Sequence, residues 1–347
     1  MTRLVFITQR VDPEHPALAA TVPKLRALAR RVDEVVVLAL DGRPDVLPEN
    51  CTVRLFGRGG RPARVVRLER DLHAALSGGG ALAVVAHMVP VYAVLAAPLA
   101  RVRKVPLLLW YTHWKATAAL RVAERLVDGV VSVDRRSFPL DSEKVRGIGH
   151  GIDLGEFTCR PPSRPGRLRV LALGRYSPSK GYDALVRAAA AAAAQGLDLE
   201  VRVVGPTLTE EERRHKEDLA RLCASLGVAD RVVLTGPVPR GDVPRLFEST
   251  DVFVNNMRAG APDKVVYEAA AACVPVLASN PVLADVVAPP YRFDRDRPEH
   301  LVEALVRVAS LPAAELERST REARDRVAAA HSVYHWAEAL LAAARRS

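Results

Sequence analysis

The chain has 347 residues, of which 49% are hydrophobic and 26% are charged, so two domains are expected rather than one large core. No apolar run reaches membrane-spanning length, and the opening stretch MTRLVFITQRVD lacks the features of a signal peptide, so a cytoplasmic location is expected. The formal net charge of +10 lies mainly in the first 150 residues, where 23 Lys and Arg face 14 Asp and Glu.

The first half of the chain alternates short apolar runs with helical patterns, the first of them at 17–31. The strand-like runs are RLVFIT, EVVVLAL, CTVRLF, ALAVVAH, VPLLLWYTH and DGVVSV, which begin at residues 3, 34, 51, 81, 105 and 128. Strands that alternate with helices predict an α/β domain with a doubly wound parallel sheet. This domain is expected to span residues 1–160.

The most basic part of this domain runs from Arg58 to Arg70, with an arginine at every third position. On a helix that begins near Ala63, the side chains of Arg64, Arg67 and Arg70 would stay close to one side. A solvated helix face is the expected explanation, and a surface for anionic lipid or an acidic acceptor is the alternative. No DNA-reading module or aromatic-interleaved basic motif is present, so nucleic acid is not an expected partner.

A proline-rich linker at 159–167 separates this domain from a second one of the same kind. Its strand-like runs are LRVLALG, LEVRVVG, RVVLTG, DVFVNN and VPVLAS, which begin at residues 168, 199, 231, 251 and 274. The second domain is expected over 161–330. A last helix at 331–347 then either stays apart or crosses back to the first domain. Two such domains would face a cleft, where small molecules commonly bind.

The four cysteines, Cys51, Cys159, Cys223 and Cys273, lie far apart and form no C-x-x-C pair. Neither a zinc site nor a disulfide framework is indicated by this spacing. Buried free thiols are therefore the expectation.

The loop after the first strand of the second domain holds two cations, Arg175 and Lys180, between Gly174 and Gly181. Open α/β sheets bind ligands at the carboxyl ends of their strands, and glycines allow a close backbone approach. The pattern indicates an anion site, and two solvated loop cations are the alternative.

A second candidate element is the helix predicted from PDKVVYEAAAA at 262–272. Pro262 suits the first helical turn, whose free N–H groups favour an anion. Lys264 and Glu268 share one face, so a simple i,i+4 ion pair is one explanation of them. Because the rest of the helix is apolar, Glu268 is expected to be buried and to need a further partner.

Four stretches, in this order, resemble glycosyltransferase family 4. They are GHGIDLGEF at 149–157, GRYSPSKG at 174–181, VVLTGPVPRGDVPRLFESTDVFV at 232–254 and PDKVVYEAAAACVPVLAS at 262–279. The resemblance implies two Rossmann-like domains facing a cleft, the GT-B fold. It also implies a nucleoside-diphosphate sugar as donor, without a cofactor, and transfer to a hydroxyl acceptor with retention of configuration.

The resemblance also assigns roles to individual residues. Arg175 and Lys180 are implied to bind the donor diphosphate, where fixed cations would stabilise the charge that develops on the leaving group. Glu268 is implied to accept hydrogen bonds from the ribose hydroxyls. The implied donor-binding set is Gly174, Arg175, Lys180, Pro237, Val238, Asp263, Lys264, Val265 and Glu268. In the first domain, His113 is implied as a catalytic residue, although a structural histidine is the alternative, and His87, Tyr111 and Trp114 are acceptor-side candidates.

The sequence departs from the family pattern at two places. The first glutamate of the family's E-x7-E motif would fall at position 260, which is Gly260, as in a known family variant that lacks this glutamate. Asp263 or the backbone of RAGAP at 258–262 would then serve the donor sugar. The first strand–helix turn has QRVDPEHPALA in place of the Gly-Gly pair that many relatives have, so no acceptor contacts carry over there.

The pair Asp294 and Asp296 has the D-x-D spacing of a metal site in another glycosyltransferase fold. Asp296 followed by Glu299, just before a helical run, instead predicts a helix N-cap with a capping box. No metal requirement is therefore expected. A nucleotide-sugar epimerase or hydrolase on the same fold, and a non-catalytic nucleotide-sugar-binding subunit, are the functional alternatives.

Overall fold

The computed structural model describes residues 2–15, 18–161, 166–260 and 262–346. The chain forms two compact units. The first comprises Met1–Asp153 together with Ala330–Ser347, and the second comprises Leu154–Ala329. The division therefore falls a few residues before the proline-rich linker, of which residues 162–165 lie outside the described part of the chain.

The first unit is built on a seven-stranded parallel sheet. Its strands are β1 Arg3–Val11, β2 Glu34–Gly42, β3 Cys51–Leu55, β4 Ala81–His87, β5 Leu107–Trp110, β6 Gly129–Ser132 and β7 Val145–Gly147. They lie in the order β3-β2-β1-β4-β5-β6-β7. The order reverses between β1 and β4, which makes their carboxyl ends the topological switch point of this sheet.

Helices cover both faces of this sheet. They are α1 Thr21–Ala29, α2 Arg61–Leu76, α3 Pro90–Arg103, α4 Ala118–Leu126 and, from the end of the chain, α11 Val333–Arg346. In β1, Leu4 and Phe6 pack into the core under α1 and α11, whereas Val5 and Ile7 pack into the core under α2 and α3. Burial on both faces explains why the strands read as continuous apolar runs.

The last helix, α11, belongs to the first unit. The Trp336 ring packs edge-on against Trp110 with 5.5 Å between the ring centroids. The ammonium group of Lys24 lies 4.8 Å from the Trp110 ring and 5.2 Å from the Trp336 ring. The predicted helix at 331–347 corresponds to α11, and a further helix, α10 Ala313–His331, precedes it up to Ser332.

The second unit has a five-stranded parallel sheet in the order β10-β9-β8-β11-β12. Its strands are β8 Leu168–Leu173, β9 Leu199–Val204, β10 Val232–Thr235, β11 Val252–Asn255 and β12 Val276–Ala278. Its helices are α5 Tyr182–Ala194, α6 Glu210–Ser225, α7 Val243–Glu248, α8 Lys264–Ala271, α9 Pro298–Ser310 and most of α10. The switch point lies between β8 and β11.

Three local predictions need correction. Strand β5 ends at Trp110, three residues before the predicted run ends at His113. Helix α8 begins at Lys264 with Asp263 as its N-cap residue, so Pro262 precedes the helix. The predicted capping box at Asp296 is wrong, since α9 begins at Pro298 after Arg297.

The cysteine prediction is wrong for one pair. Cys159 and Cys273 form a disulfide with their Cα atoms 4.9 Å apart. The pair is 114 residues apart in sequence, so no local spacing could indicate it. The prediction of a buried free thiol is confirmed for Cys223, while Cys51 is free and half-buried. Burial raises the pKa of the Cys51 thiol to about 11.

Candidate functional site

The loop after β8 and the residues after β11 meet at the switch point of the second unit. The amide of Asn256, just past β11, donates to the Gly181 carbonyl at 3.1 Å. The Arg295 guanidinium donates to the Ser179 carbonyl at 3.0 Å and also to the Asn256 carbonyl. Two separate elements therefore fix the predicted cation loop at the carboxyl edge of the sheet, where ligands bind in this class of fold.

Gly174 allows Lys180 to fold back over the start of this loop. Its φ is +143°, and a Cβ atom placed there would lie 2.8 Å from both Cε and Nζ of Lys180. The Tyr182 hydroxyl donates to the Gly174 carbonyl at 3.1 Å. Burial, with Asp263 nearby, raises the pKa of Tyr182, so this hydroxyl keeps its proton. A side chain at position 174 would displace the lysine.

Lys180 forms an ion pair with Asp263, and its side chain is only 15% exposed. Asp263 also accepts a hydrogen bond from the Asn255 amide at 2.8 Å. Its carboxylate makes no capping bond to α8 and instead faces the lysine. The ion pair joins the loop after β8 to the start of α8, so two elements predicted separately from sequence belong to one site.

Arg175 is held by a residue that the sequence did not indicate. Its guanidinium lies 3.0 Å from Oε1 of Glu212. Glu212 is buried at the start of α6, where its other oxygen accepts from the Leu208 N–H at 2.6 Å. The Arg175 side chain is 54% exposed, so this cation is anchored at one side and open to solvent at the other.

Glu268 is buried, as predicted, with 3% of its surface exposed. Its Oε1 lies 2.7 Å from the Lys264 ammonium and 3.0 Å from the Arg240 guanidinium. The predicted i,i+4 ion pair with Lys264 is therefore present, and Arg240 is a second cation beside Glu268. Neither cation has hydrogen-bond geometry toward Oε1, which receives no hydrogen bond from the described residues. This oxygen is therefore enclosed and paired by charge with two cations.

Arg240 is the residue of this site that sequence reasoning missed. It lies in the loop after β10 and donates to Oε2 of Glu156 at 2.6 Å while standing beside Glu268. Two of the implied donor-binding residues precede it in this loop, and of these Pro237 is exposed and Val238 is half-buried. The local sequence VPRGD does not indicate that Arg240 contacts Glu268, which lies 28 residues further along the chain. Only the tertiary contacts identify Arg240 as part of this site.

The remaining donor-side candidates lie at the same edge. Val265 is half-buried in the first turn of α8. Gly260 is exposed and has a φ of +144°, in the region that favours glycine. A cavity of about 390 Å³ beside it is lined in part by Met257, Arg258 and Arg295. Ala261, within the RAGAP stretch, lies outside the described residues.

The first-unit candidates divide into buried and exposed groups. His87 ends β4 and is buried, with its Nδ1 3.0 Å from the Thr8 hydroxyl. Burial, and to a lesser degree the charge of Lys24, holds the pKa of His87 well below its usual range, so the imidazole is neutral. His87 is therefore closed to solvent in this structure. Residues 16 and 17 of the preceding strand–helix turn lie outside the described residues.

The second group follows β5. Tyr111 is buried, packs edge-on against Phe138 and donates to the Lys115 carbonyl at 2.9 Å. Burial raises the pKa of Tyr111. His113 and Trp114 are exposed and stacked with ring centroids 5.5 Å apart, and Nδ1 of His113 accepts from the Lys115 N–H. A stacked pair of exposed rings can pack against a ligand.

The D-x-D pair is part of a turn, in which Oδ1 of Asp294 accepts from the Asp296 N–H at 2.9 Å. Among the described residues, no group of three or more His, Cys, Asp or Glu is arranged to hold a metal ion. Within the same residues, no helix combines the length and apolarity needed to cross a bilayer.

Comparison with known proteins relates the second unit to one family. Residues 167–310 match the model of the family described as glycosyl transferases group 1. This match confirms the resemblance found in the sequence over most of the second unit. The chain has two Rossmann-like units, and residues 167–310 of the second are similar to the group 1 glycosyltransferases.

Curated relatives match part of the chain. A D-inositol 3-phosphate glycosyltransferase from Streptomyces scabiei is 28% identical over 179 residues, which cover 47% of this chain and 40% of that protein. A GDP-mannose-dependent alpha-(1-6)-phosphatidylinositol monomannoside mannosyltransferase from Mycolicibacterium smegmatis is 33% identical over 149 residues, covering 38% and 37%. The chain thus spans less than half the length of these relatives.

Solved structures match the whole chain in fold. The HepE protein of Anabaena, in complex with UDP, aligns over 98% of both chains with a TM-score of 0.77 and 18% sequence identity. The sucrose-phosphate synthase of Thermosynechococcus elongatus aligns over 100% of this chain and 99% of its own, with a TM-score of 0.74 and 16% identity. The predicted two-domain α/β fold class is confirmed.

Proposed function

We propose that this protein is a retaining glycosyltransferase that moves a sugar from a nucleoside-diphosphate sugar to a hydroxyl acceptor. The observation that carries the proposal is the Lys180–Asp263 ion pair at the switch point of the second unit. It brings the cation loop to the helix of Glu268, so that phosphate-binding and ribose-binding groups belong to one site.

In this proposal the donor diphosphate binds against Lys180 and Arg175. As the sugar–oxygen bond breaks, negative charge grows on the leaving diphosphate, and fixed cations stabilise that state more than the ground state. Lys180 is mostly shielded from water, so its charge acts with less screening than that of the half-exposed Arg175. Asp263 holds the lysine in place before the phosphates arrive. These two cations would supply the charge stabilisation without a metal.

Glu268 is proposed to bind the ribose. The support is its match to the family's ribose-binding glutamate and its place between Lys264 and Arg240 at the carboxyl edge of the sheet. The loop with Pro237 and Val238 would meet the nucleobase through its backbone. In the first unit, His113 is proposed as a catalytic residue, with Tyr111 and Trp114 as residues for the acceptor.

Binding of free nucleotides tests the donor site. HepE is a UDP complex and one relative is named as GDP-mannose-dependent, so UDP and GDP are the first candidates. A thermal-shift screen with UDP, GDP, dTDP, ADP and CMP, without added metal, should show a clear shift with one diphosphate. A ligand at a hundred times its dissociation constant adds about 2.7 kcal/mol of stability. The absence of any shift would remove the phosphate role of Arg175 and Lys180.

A non-catalytic nucleotide-sugar-binding subunit is the second candidate, and Gly260 favours it. The positive φ at this exposed position suits glycine and would strain a glutamate, so the backbone itself accommodates the departure from the E-x7-E pattern. Donor binding without donor consumption, under any acceptor, would support this alternative. Product analysis with and without an acceptor separates transfer from hydrolysis or epimerisation. The anomeric configuration of an early product, read by NMR, tests retention.

A peripheral contact with anionic membrane is a finer proposal about the acceptor. On α2, Arg61 and Arg70 are exposed, as is Val66, at 64%. Arg64 and Arg67 donate to the carbonyls of Gly59 and Arg58, so they also hold the preceding loop. Co-sedimentation with vesicles should increase with their content of anionic lipid; binding that ignores lipid charge would exclude this contact.

A further inference from the structure

The segment 154–160, which opens the second unit and is called the tether below, is attached to α8 at two places. Near the start of the tether, Glu156 accepts from Arg240, whose guanidinium also lies beside Glu268. Near its end, Cys159 is bonded to Cys273, two residues after the last residue of α8. No function assigned so far uses either attachment.

Arg240 is built to serve two carboxylates at once. Its side chain is 14% exposed, lies over the Phe157 ring, and has Glu156 and Glu268 within 3.0 Å. Both contacts are made by Nη2 of the guanidinium, which lies 2.6 Å from Oε2 of Glu156 and 3.0 Å from Oε1 of Glu268. A buried carboxylate such as Glu268 needs a cation to remain charged. Arg240 supplies one at Oε1, beside the Lys264 ammonium.

The second attachment, at Cys273, is made by a residue with an unfavourable backbone conformation. The Val274 N–H bonds to the Ala269 carbonyl and the Cys273 N–H to the Ala270 carbonyl, which is the Schellman ending of a helix. In this motif the residue at position 273 is left-handed, and Cys273 has a φ of +57° where glycine is usual. A residue other than glycine adopts this conformation only when the surrounding structure holds it there. Here the side chain reaches the tether.

We propose that Arg240 is a positioning residue for Glu268, and that the Cys159–Cys273 disulfide keeps the tether, and with it Glu156 and Arg240, in place. The redox state of the pair then adjusts how well the site recognises the ribose. Reduction by a dithiol transfers two electrons and two protons to the disulfide, leaving two thiols and an oxidised dithiol. The inference rests on the proposed function, because it takes Glu268 as the ribose-binding group.

Calorimetric titration of the full chain with UDP, GDP and their 2′-deoxy forms tests this. For the nucleotide that binds, the oxidised wild type should prefer the ribose form by about tenfold or more, as expected for a hydrogen bond to a charged group. Arg240→Gln and Glu156→Gln should reduce this preference toward one, with pyrophosphate affinity unchanged. Arg240→Lys should restore part of it. The matched control is Arg245→Gln, at a side chain 82% exposed on α7, which should keep the preference.

The redox arm compares oxidised wild type, wild type reduced with dithiothreitol, and Cys159→Ser, with melting curves to confirm folding. Reduction and Cys159→Ser should lower the ribose preference in the same direction as Arg240→Gln. If Arg240→Gln keeps the wild-type preference, the inference is wrong while the proposed function stands. If only the cysteine changes have no effect, the disulfide part is overturned. If wild type binds no nucleotide, or binds both sugar forms equally, the proposed role of Glu268 fails, and this inference with it.

Discussion

The two units place opposite chemistry at the same topological position. In the first sheet the order reverses between β1 and β4, where the Thr8 hydroxyl and the His87 imidazole bond to each other in a buried, neutral pair. In the second sheet the order reverses between β8 and β11, where Lys180, Asp263 and Asn255 form a charged cluster. One switch point is closed by a neutral pair, and the other holds the Lys180–Asp263 ion pair at the proposed anion site.

This difference shows that the fold provides the position and the residues after the strands decide its use. A parallel sheet leaves a crevice wherever its order reverses, whatever the sequence. At β4 the strand ends in a histidine that is drawn into the core. Strand β8 is followed by Gly174, which has no side chain and so leaves room for Lys180 to fold back over the end of the strand. Function therefore has to be argued from the site.

The largest expected effect comes from removing the charge at the second switch point. Lys180→Ala should lower the rate of transfer by on the order of 10²- to 10³-fold, because a fixed cation at the leaving group is lost. Steady-state kinetics with the donor identified by the binding screen measures this. Arg214→Ala, at a side chain 74% exposed on α6, is the control and should leave the rate unchanged. Turnover retained in Lys180→Ala would contradict the assigned role.

A smaller effect is expected from filling the space that the glycine leaves. Gly174→Ala introduces a Cβ 2.8 Å from the Lys180 ammonium and should abolish the thermal shift by the nucleoside diphosphate. Gly196→Ala, with a φ of +90° and no heavy atom within 4 Å of the new Cβ, is the matched control. Both changes should reduce the free energy of unfolding by about 1–3 kcal/mol through backbone strain. Equal loss of nucleotide binding in both variants would show that the lysine contact is unimportant.

The smallest effect concerns the first switch point and is seen in its pH dependence. Burial lowers the pKa of His87 in the folded state, so below pH of about 6.5 the unfolded chain takes up a proton that the folded chain does not. The stability of wild type should therefore fall as the pH drops below that value, by at most about 1.4 kcal/mol per pH unit from this group. Denaturant unfolding at pH 7.5 and 5.5 measures the change.

His87→Gln should remove this part of the pH dependence, although the variant itself is less stable. His73→Gln, at an exposed position on α2, is the comparison variant and should keep the wild-type slope. If the wild-type and His87→Gln stabilities change in parallel between the two pH values, the buried neutral histidine is not the cause.

Local patterns made much of the second unit predictable. The apolar runs at β8, β9, β10, β11 and β12 indicated the strands of its sheet. The cation loop could be located because strand, glycine and helix signals are all local. The exact start of α8 could not, since Asp263 turns toward Lys180 rather than capping the helix.

The sequence by itself determined the two α/β units, the loop with Arg175 and Lys180, and the buried position of Glu268, because strand and helix patterns depend on neighbouring residues. Only the tertiary structure decided the partners: Asp263 for Lys180, Glu212 for Arg175, Arg240 for Glu268 and Cys273 for Cys159. Parallel strands are joined by long crossovers, so groups that meet at one sheet edge come from distant parts of the chain. Charge and disulfide pairing depend on distance through space, which no local pattern records.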